Sequence, residues 1–496
     1  MKTIKKYVIQ CYIIFTLVIL PVIYHNSYID IRNFKVAVFW RVFAIVGIIL
    51  GVCIVYDLMT LLRDEGLDGL KNTFKDNMKP MDYALFGFGI VVLISSLTSR
   101  FGMHAFTGDL TFKVGGFLLL AVIFMYFVIS KNEAPLPIHY IWAAPVLFLE
   151  ITAILNSLTI DPLHMALPQM TLSDRVYFIS TIGHIDYLSE FFCLFIPFFV
   201  ALLIRSEKKT DQILFGVIVF LGYLSSLLVR ANGMILGCVF GLFVIGIYCL
   251  SHSKYMKTYL LQYFLFVLAA LLTDVINHLY IIPYKQLELD ALSSHLSNKL
   301  YLVIAVVLGI LLVIEHKASE ETLKKVYKVI QKVVLTLFVI ALGGWLVFSI
   351  YCVVNNLQLP IFNNRINIWR GSFVSFQHMS IREKFFGVGP NCVSAMLDKY
   401  AVYQGVSRTT AHNELLEYFL STGILGFITY LSFWVLLIRA LIKNIYKPYA
   451  LAYLAGLVGY AGISLVVGPS FLNTVTLFTL LALASKEASK EALSEA

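Results

Sequence analysis

Between Ile361 and Tyr430 the chain gathers residue types that act on anions and hydroxyls. The interval opens with Ile361-Phe362-Asn363-Asn364-Arg365-Ile366-Asn367-Ile368-Trp369-Arg370 and continues with Phe385-Phe386-Gly387-Val388-Gly389-Pro390. It ends in Ala411-His412-Asn413-Glu414-Leu415-Leu416-Glu417 and Gly423-Ile424-Leu425-Gly426. Arg365, Arg370, Arg382 and Arg408 lie within it, Arg439 follows, and His378 and His412 read as an exposed histidine pair. Arginine is always charged and its planar fork bonds two oxygens at once, which suits a phosphate or pyrophosphate in a partly dry site. Histidine titrates near neutrality and is the side chain most suited to accept a proton there. A polar loop of this length is expected to be functional.

The rest of the chain is of a different character. Of 496 residues, 59% are hydrophobic and 14% charged, with a mean hydropathy of +0.83. A soluble chain would be about half apolar and a quarter charged. The composition therefore predicts an all-α polytopic membrane protein, and the net charge of +9 is read loop by loop, not as a nucleic-acid footprint. Met1-Lys2-Thr3-Ile4-Lys5-Lys6 starts like a signal peptide, but the apolar run to Tyr24 is long enough to span and has no small-residue cleavage site. Six of the seven cysteines lie in or beside apolar runs with no CxxC or Cys/His spacing, so neither disulfides nor structural zinc are expected.

A window of about 20 residues gives about 14 spans, near 7–24, 36–57, 83–98, 114–130, 138–158, 187–204, 212–229, 234–250, 259–281, 300–314, 333–354, 418–438, 449–467 and 471–484. The expected division is N-terminal helices over 1–158, central helices with outer loops over 159–354, the large loop over 355–417, C-terminal helices over 418–484 and a solvated cytoplasmic tail over 485–496. A cytoplasmic N-terminus puts most lysines inside and turns the large loop outward. The outward cations are then mainly arginines: Arg32, Arg41, Arg100, Arg175, Arg230, Arg365, Arg370, Arg382 and Arg408. Interfacial snorkelling accounts for Arg32, Arg41 and Arg100. Arg230, in the tight turn Arg230-Ala231-Asn232-Gly233, sits near bilayer depth, where a cation is usually functional. The segment from Ile160 to Asp186, mixed in Pro, Gly and apolar residues, is suited to line a cavity.

These motifs resemble the O-antigen ligase and O-antigen polymerase superfamily of bacterial envelope glycosyltransferases, over roughly Gly183 to Gly426. The His412-Asn413 pair ahead of a helix with Gly423-Ile424-Leu425-Gly426 is the most specific part. Arg365 with Trp369, then Gly387-Val388-Gly389, matches the family's loop pattern. Gly183-His184-Ile185-Asp186-Tyr187-Leu188 looks like its Asn-rich motif without the Asn-Pro-Asn form, and Arg230-Ala231 resembles its Ser-Arg-Gly/Ala motif with Val229 in the hydroxyl position.

The resemblance implies a GT-C-like, metal-independent transferase in the bacterial plasma (inner) membrane, with 12–14 transmembrane helices, an extracytoplasmic site and no cofactor. It would move a glycan from undecaprenyl diphosphate to an acceptor hydroxyl on a glycan or other envelope molecule, as a ligase or as a polysaccharide polymerase. A lipid diphosphate leaving group needs charge stabilisation more than a general acid, which casts Arg230 and Arg365 as catalytic, and no outward Asp-x-Asp motif is present to hold a metal. His412 is the expected base or positioning acceptor for the hydroxyl.

Other residues carry two readings each. Asn413 orients His412 or caps its helix, and Glu414 or Glu417 competes as base. Trp369 and the pair Tyr400/Tyr403 stack on sugars or form an interfacial belt. Gly387 and Gly389 allow a turn or let backbone approach phosphate. His184 and Asp186 touch substrate or cap the sixth span. Arg370 and Arg408 complete the substrate-binding set, and His378 is structural. The rival class is a flippase or transporter of lipid-linked oligosaccharide, which would favour inverted repeats and charges at the membrane midplane. No internal repeat is visible, and the charges cluster at outer helix ends.

Overall fold

The computed structural model describes residues 1–109, 112–279, 296, 298–359, 362, 365–400 and 410–489. Arg408 and Tyr403 lie outside the described residues. The regular secondary structure of the described residues is all helical, and the protein is a polytopic membrane protein. Every expected span coincides with a helix. Among the described residues, eleven helices, the first Lys2–Val22 and the last Glu414–Lys443, are long and apolar enough to cross a membrane. Gly116–Lys131, Ala450–Ser464 and Phe471–Glu487 are shorter, at 16, 15 and 17 residues. The second helix, Ser27–Asn77, runs 51 residues and turns at Gly66 (φ 69°).

The chain forms two compact units. The first comprises Met1–Pro145, Gly371–Ala450 and Gly468–Ala496. Here Pro80–Thr98 packs along Glu414–Lys443 and Gly116–Lys131, and the latter also packs on Phe471–Glu487. Buried Asp82 at the head of Pro80–Thr98 accepts from Tyr126 Oη at 2.9 Å and pairs with Lys131, so the carboxylate is compensated as burial requires. Ser485 and Glu487, expected in a solvated tail, are buried residues of the last helix, and Glu487 Oε1 accepts from the Tyr449 amide at 3.2 Å.

The second unit comprises Val146–Arg370 and Leu451–Val467. Its centre is Ile185–Arg205, which packs against Lys209–Val229 and Asn232–Ser251. Small residues let Ala450–Ser464 lie close to this helix: a Cβ at Gly459 would stand 2.3 Å from the Cys193 carbonyl oxygen, and one at Gly456 2.5 Å from that of Leu194. Such backbone approach is how helices associate where apolar burial supplies no drive. Met256–His278 packs on Lys209–Val229, with Tyr223 Oη donating to Gln262 Oε1 at 2.5 Å.

Candidate functional site

His412 belongs to the first unit and is half-buried rather than exposed. Its backbone is left-handed, φ 46°, a conformation that costs a non-glycine residue roughly 1–2 kcal/mol. Three side chains hold this turn. Thr410 Oγ1 accepts from the His412 amide at 3.0 Å, Glu417 Oε2 from the Ala411 amide at 2.8 Å, and Asn413 Oδ1 from the Leu416 amide at 2.9 Å. Asn413 is thus the N-cap of Glu414–Lys443, one of its two expected roles, and a capping side chain satisfies an otherwise orphaned amide. Glu414 is buried and accepts from Tyr430 Oη.

The helix behind His412 breaks at Gly423, φ 70°. The break receives the Gly387 turn: the Val388 amide donates to the Leu420 carbonyl at 3.1 Å and the Gly389 amide to that of Ser421 at 3.0 Å. Gly387 donates to Glu383 at 2.7 Å. Both glycine amides are therefore engaged inside the protein, and the turn reading is the one their geometry favours. Nearby, Asn391 Oδ1 accepts from the amides of Asp109 (2.9 Å) and Val114 (3.2 Å), tying the two loops together. Burial pushes the neighbouring Cys392 thiol up to about 12, opposed by a hydrogen bond from Ser99 and reinforced by the charges of Glu417 and Asp109. Arg100 and Arg382, expected as outward cations, both pair with Glu383, at 3.2 and 3.9 Å.

The two expected catalytic arginines belong to the second unit, and it brings them to one end. Arg230 terminates Lys209–Val229 in the left-handed region, φ 59°, and its Nη2 donates to Asn277 Oδ1 at 2.7 Å. Partial burial lowers its pKa from the ordinary arginine value, the mark of a cation held in a partly dry site. Arg365 begins the helix Arg365–Gln377, and its Nε donates to the Val466 carbonyl at 2.8 Å. Val466 connects the pair, since its Cγ2 would stand 3.6 Å from a Cβ at Gly233, three residues beyond Arg230. Arg370 lies five residues after Arg365, about 140° away around the helix, so the two do not converge. Trp369 packs on Phe362 with centroids 6.0 Å apart, beside Cys352 and Ile366, and its buried Nε1 has no hydrogen-bond partner among the described residues. That places it in a local core.

His184 caps Ile185–Arg205, its Nδ1 accepting from the Asp186 amide at 3.2 Å. Of its two expected roles, capping is the one seen. His378 Nδ1 lies 2.9 Å from the Val374 carbonyl on an exposed helix face, in keeping with a structural part.

Four contributors were not expected: Asn277, Thr410, the Val466 carbonyl, and Gly468, where a Cβ would lie 2.8 Å from Thr410 Oγ1. A polar Asn closing an apolar helix was the available signal for the first. Thr410 acts through its hydroxyl, Val466 through its carbonyl and Gly468 through packing, on partners that a linear reading does not display. Among the described residues, no group of three or more His, Cys, Asp or Glu side chains is arranged to hold a metal ion.

No curated protein matches the chain. Residues 291–431 match the family described as O-Antigen ligase, an interval that contains Arg365, the Gly387 turn and His412 and leaves Arg230 and His184 before it. The chain is therefore a multi-pass membrane protein in which residues 291–431 are similar to the O-antigen ligase family.

Proposed function

We propose that the protein is a ligase-type glycosyltransferase of the bacterial plasma membrane, with its N-terminus in the cytoplasm and its site on the outer face. It moves a glycan from undecaprenyl diphosphate to an acceptor hydroxyl. The hydroxyl oxygen attacks the anomeric carbon, the bond from that carbon to the diphosphate oxygen breaks, and the lipid diphosphate leaves with the electron pair. His412 takes the hydroxyl proton. Arg230 and Arg365 stabilise the charge that develops on the leaving group, so no divalent metal is required. Arg370 and Arg408 contribute to the field that holds the anionic carrier.

The observation that carries this reading is His412 itself. A histidine kept in a costly left-handed conformation by three side-chain hydrogen bonds, within the matched family interval, is what a positioned proton acceptor requires. Polymerase chemistry would use the same groups and differs only in its acceptor.

The test is complementation of a deletion strain with wild type, His412→Ala, Arg230→Ala and Arg365→Ala at equal membrane levels, with carrier-linked glycans sized on gels. Full-length chains left on the carrier at the outer face support the ligase, and single stranded units support the polymerase. Units trapped on the inner face would replace the enzyme with a flippase. Wild-type behaviour of all three variants would remove the site.

A further inference from the structure

We infer that Glu417 is a positioning residue that fixes His412 through the Ala411 peptide. The inference rests on the reading of His412 as the proton acceptor. Glu417 is 2% exposed, and its Oε2 accepts from the Ala411 amide at 2.8 Å, one peptide before His412. Its own amide donates to the Asn413 carbonyl at 2.8 Å, so side chain and backbone of one residue bracket His412 from both sides. The bracket is completed by Thr410, whose hydroxyl oxygen accepts from the His412 amide. Thr410 in turn rests on Gly468, where a Cβ would lie 2.8 Å from Thr410 Oγ1.

The left-handed turn explains the need. A residue at φ 46° relaxes toward ordinary backbone once its ties are cut, because sparsely populated conformations persist only where the surroundings over-determine them. The ring would then swing with the backbone, and a displacement of about 1 Å costs a reaction about 100-fold. The second oxygen of Glu417, Oε1, is buried without a hydrogen-bond partner among the described residues. A tie to one amide uses a single acceptor oxygen, which a glutamine also offers. That separates positioning from proton transfer by Glu417 itself.

The experiment uses the full-length protein in detergent or vesicles with a lipid-diphosphate-linked glycan as donor, and compares Glu417→Gln, Glu417→Ala, Thr410→Val and Thr410→Ser. Glu417→Gln and Thr410→Ser are expected to keep at least half of wild-type kcat and an unmoved pH profile. Glu417→Ala and Thr410→Val are expected to lose about 10–100-fold in kcat with donor KM within about twofold of wild type, the split that misplacement of a proton acceptor produces. Ethoxycarbonylation of His412, followed by mass spectrometry, reports the turn without reference to turnover and should quicken only in the Ala and Val variants. A Gln variant as slow as Ala, or one with a displaced pH profile, would make Glu417 a proton-transfer group and overturn the proposal, as would full activity in Glu417→Ala. If Glu417→Ala does not accumulate, the Thr410 pair and Glu417→Gln decide alone. His412→Ala in the same series separates the two levels: full activity there removes the base reading, whatever the Glu417 variants do.

Discussion

Arg365 donates its Nε–H to the carbonyl of Val466 at 2.8 Å. That bond fixes the plane of the guanidinium, because Nε lies in the same conjugated system as the two terminal nitrogens. Lysine carries the same charge, but its three donors share one freely rotating nitrogen, so a bond to Val466 would not fix a direction for the charge. Arg365→Lys should therefore keep normal membrane levels and lose about 10–100-fold in glycan transfer, consistent with misdirected charge stabilisation. Turnover assays on purified membranes decide it, and near-wild-type transfer by the lysine variant would mean that only net charge matters.

Arg230 offers a separation of stability from activity. Its left-handed backbone is a position where glycine is free of strain, worth about 1 kcal/mol, and the lost bond to Asn277 costs about as much. Arg230→Gly should thus leave the melting temperature within a few degrees of wild type while transfer falls by about 100-fold or more. Thermal unfolding followed in detergent and donor turnover on the same preparation give both values.

Gly387 tests the choice between turn and anion contact. A Cβ there would lie 2.1 Å from the Ser421 carbonyl oxygen, on a backbone at φ 81°. Gly387→Ala should unfold the seam around Gly423, with a penalty of at least about 3 kcal/mol, seen as poor accumulation or a large drop in melting temperature. A stable variant with weakened donor binding would instead assign the glycine to the phosphate.

The Cys392 thiol, pushed up to about 12 by burial, should resist alkylation at pH 8, where only about one thiol in ten thousand is ionised. The linkage has a definite sign. A thiol raised in the fold stabilises it fully below the unfolded value of about 8.5, and that stability is lost as pH rises toward 12. Iodoacetamide labelling across pH 8–11, read by mass spectrometry, should show Cys392 modified only when the protein opens. Rapid labelling at pH 8 would contradict the buried placement.

The membrane class and the helices were legible in the sequence because an apolar run of about 20 residues has few other stable forms. Asn413 ahead of Glu414-Leu415-Leu416-Glu417 is a local helix-start signal, and His412 beside it needs no tertiary information to be noticed. Which partners each polar residue meets was decided by packing. Trp369 and Arg365 are four residues apart, yet one enters a local core with Phe362 and the other grips Val466 a hundred residues away. Gly387 and Gly389 are flexible residues to a linear reading, and only the broken helix at Gly423 gives them a backbone to meet. Local signals depend on neighbours within a few residues and survive in the sequence. The hydrogen-bond partners of Glu417, Thr410 and Arg230 depend on which side chains and peptides the fold brings within about 3 Å, and those distances exist only in the tertiary structure.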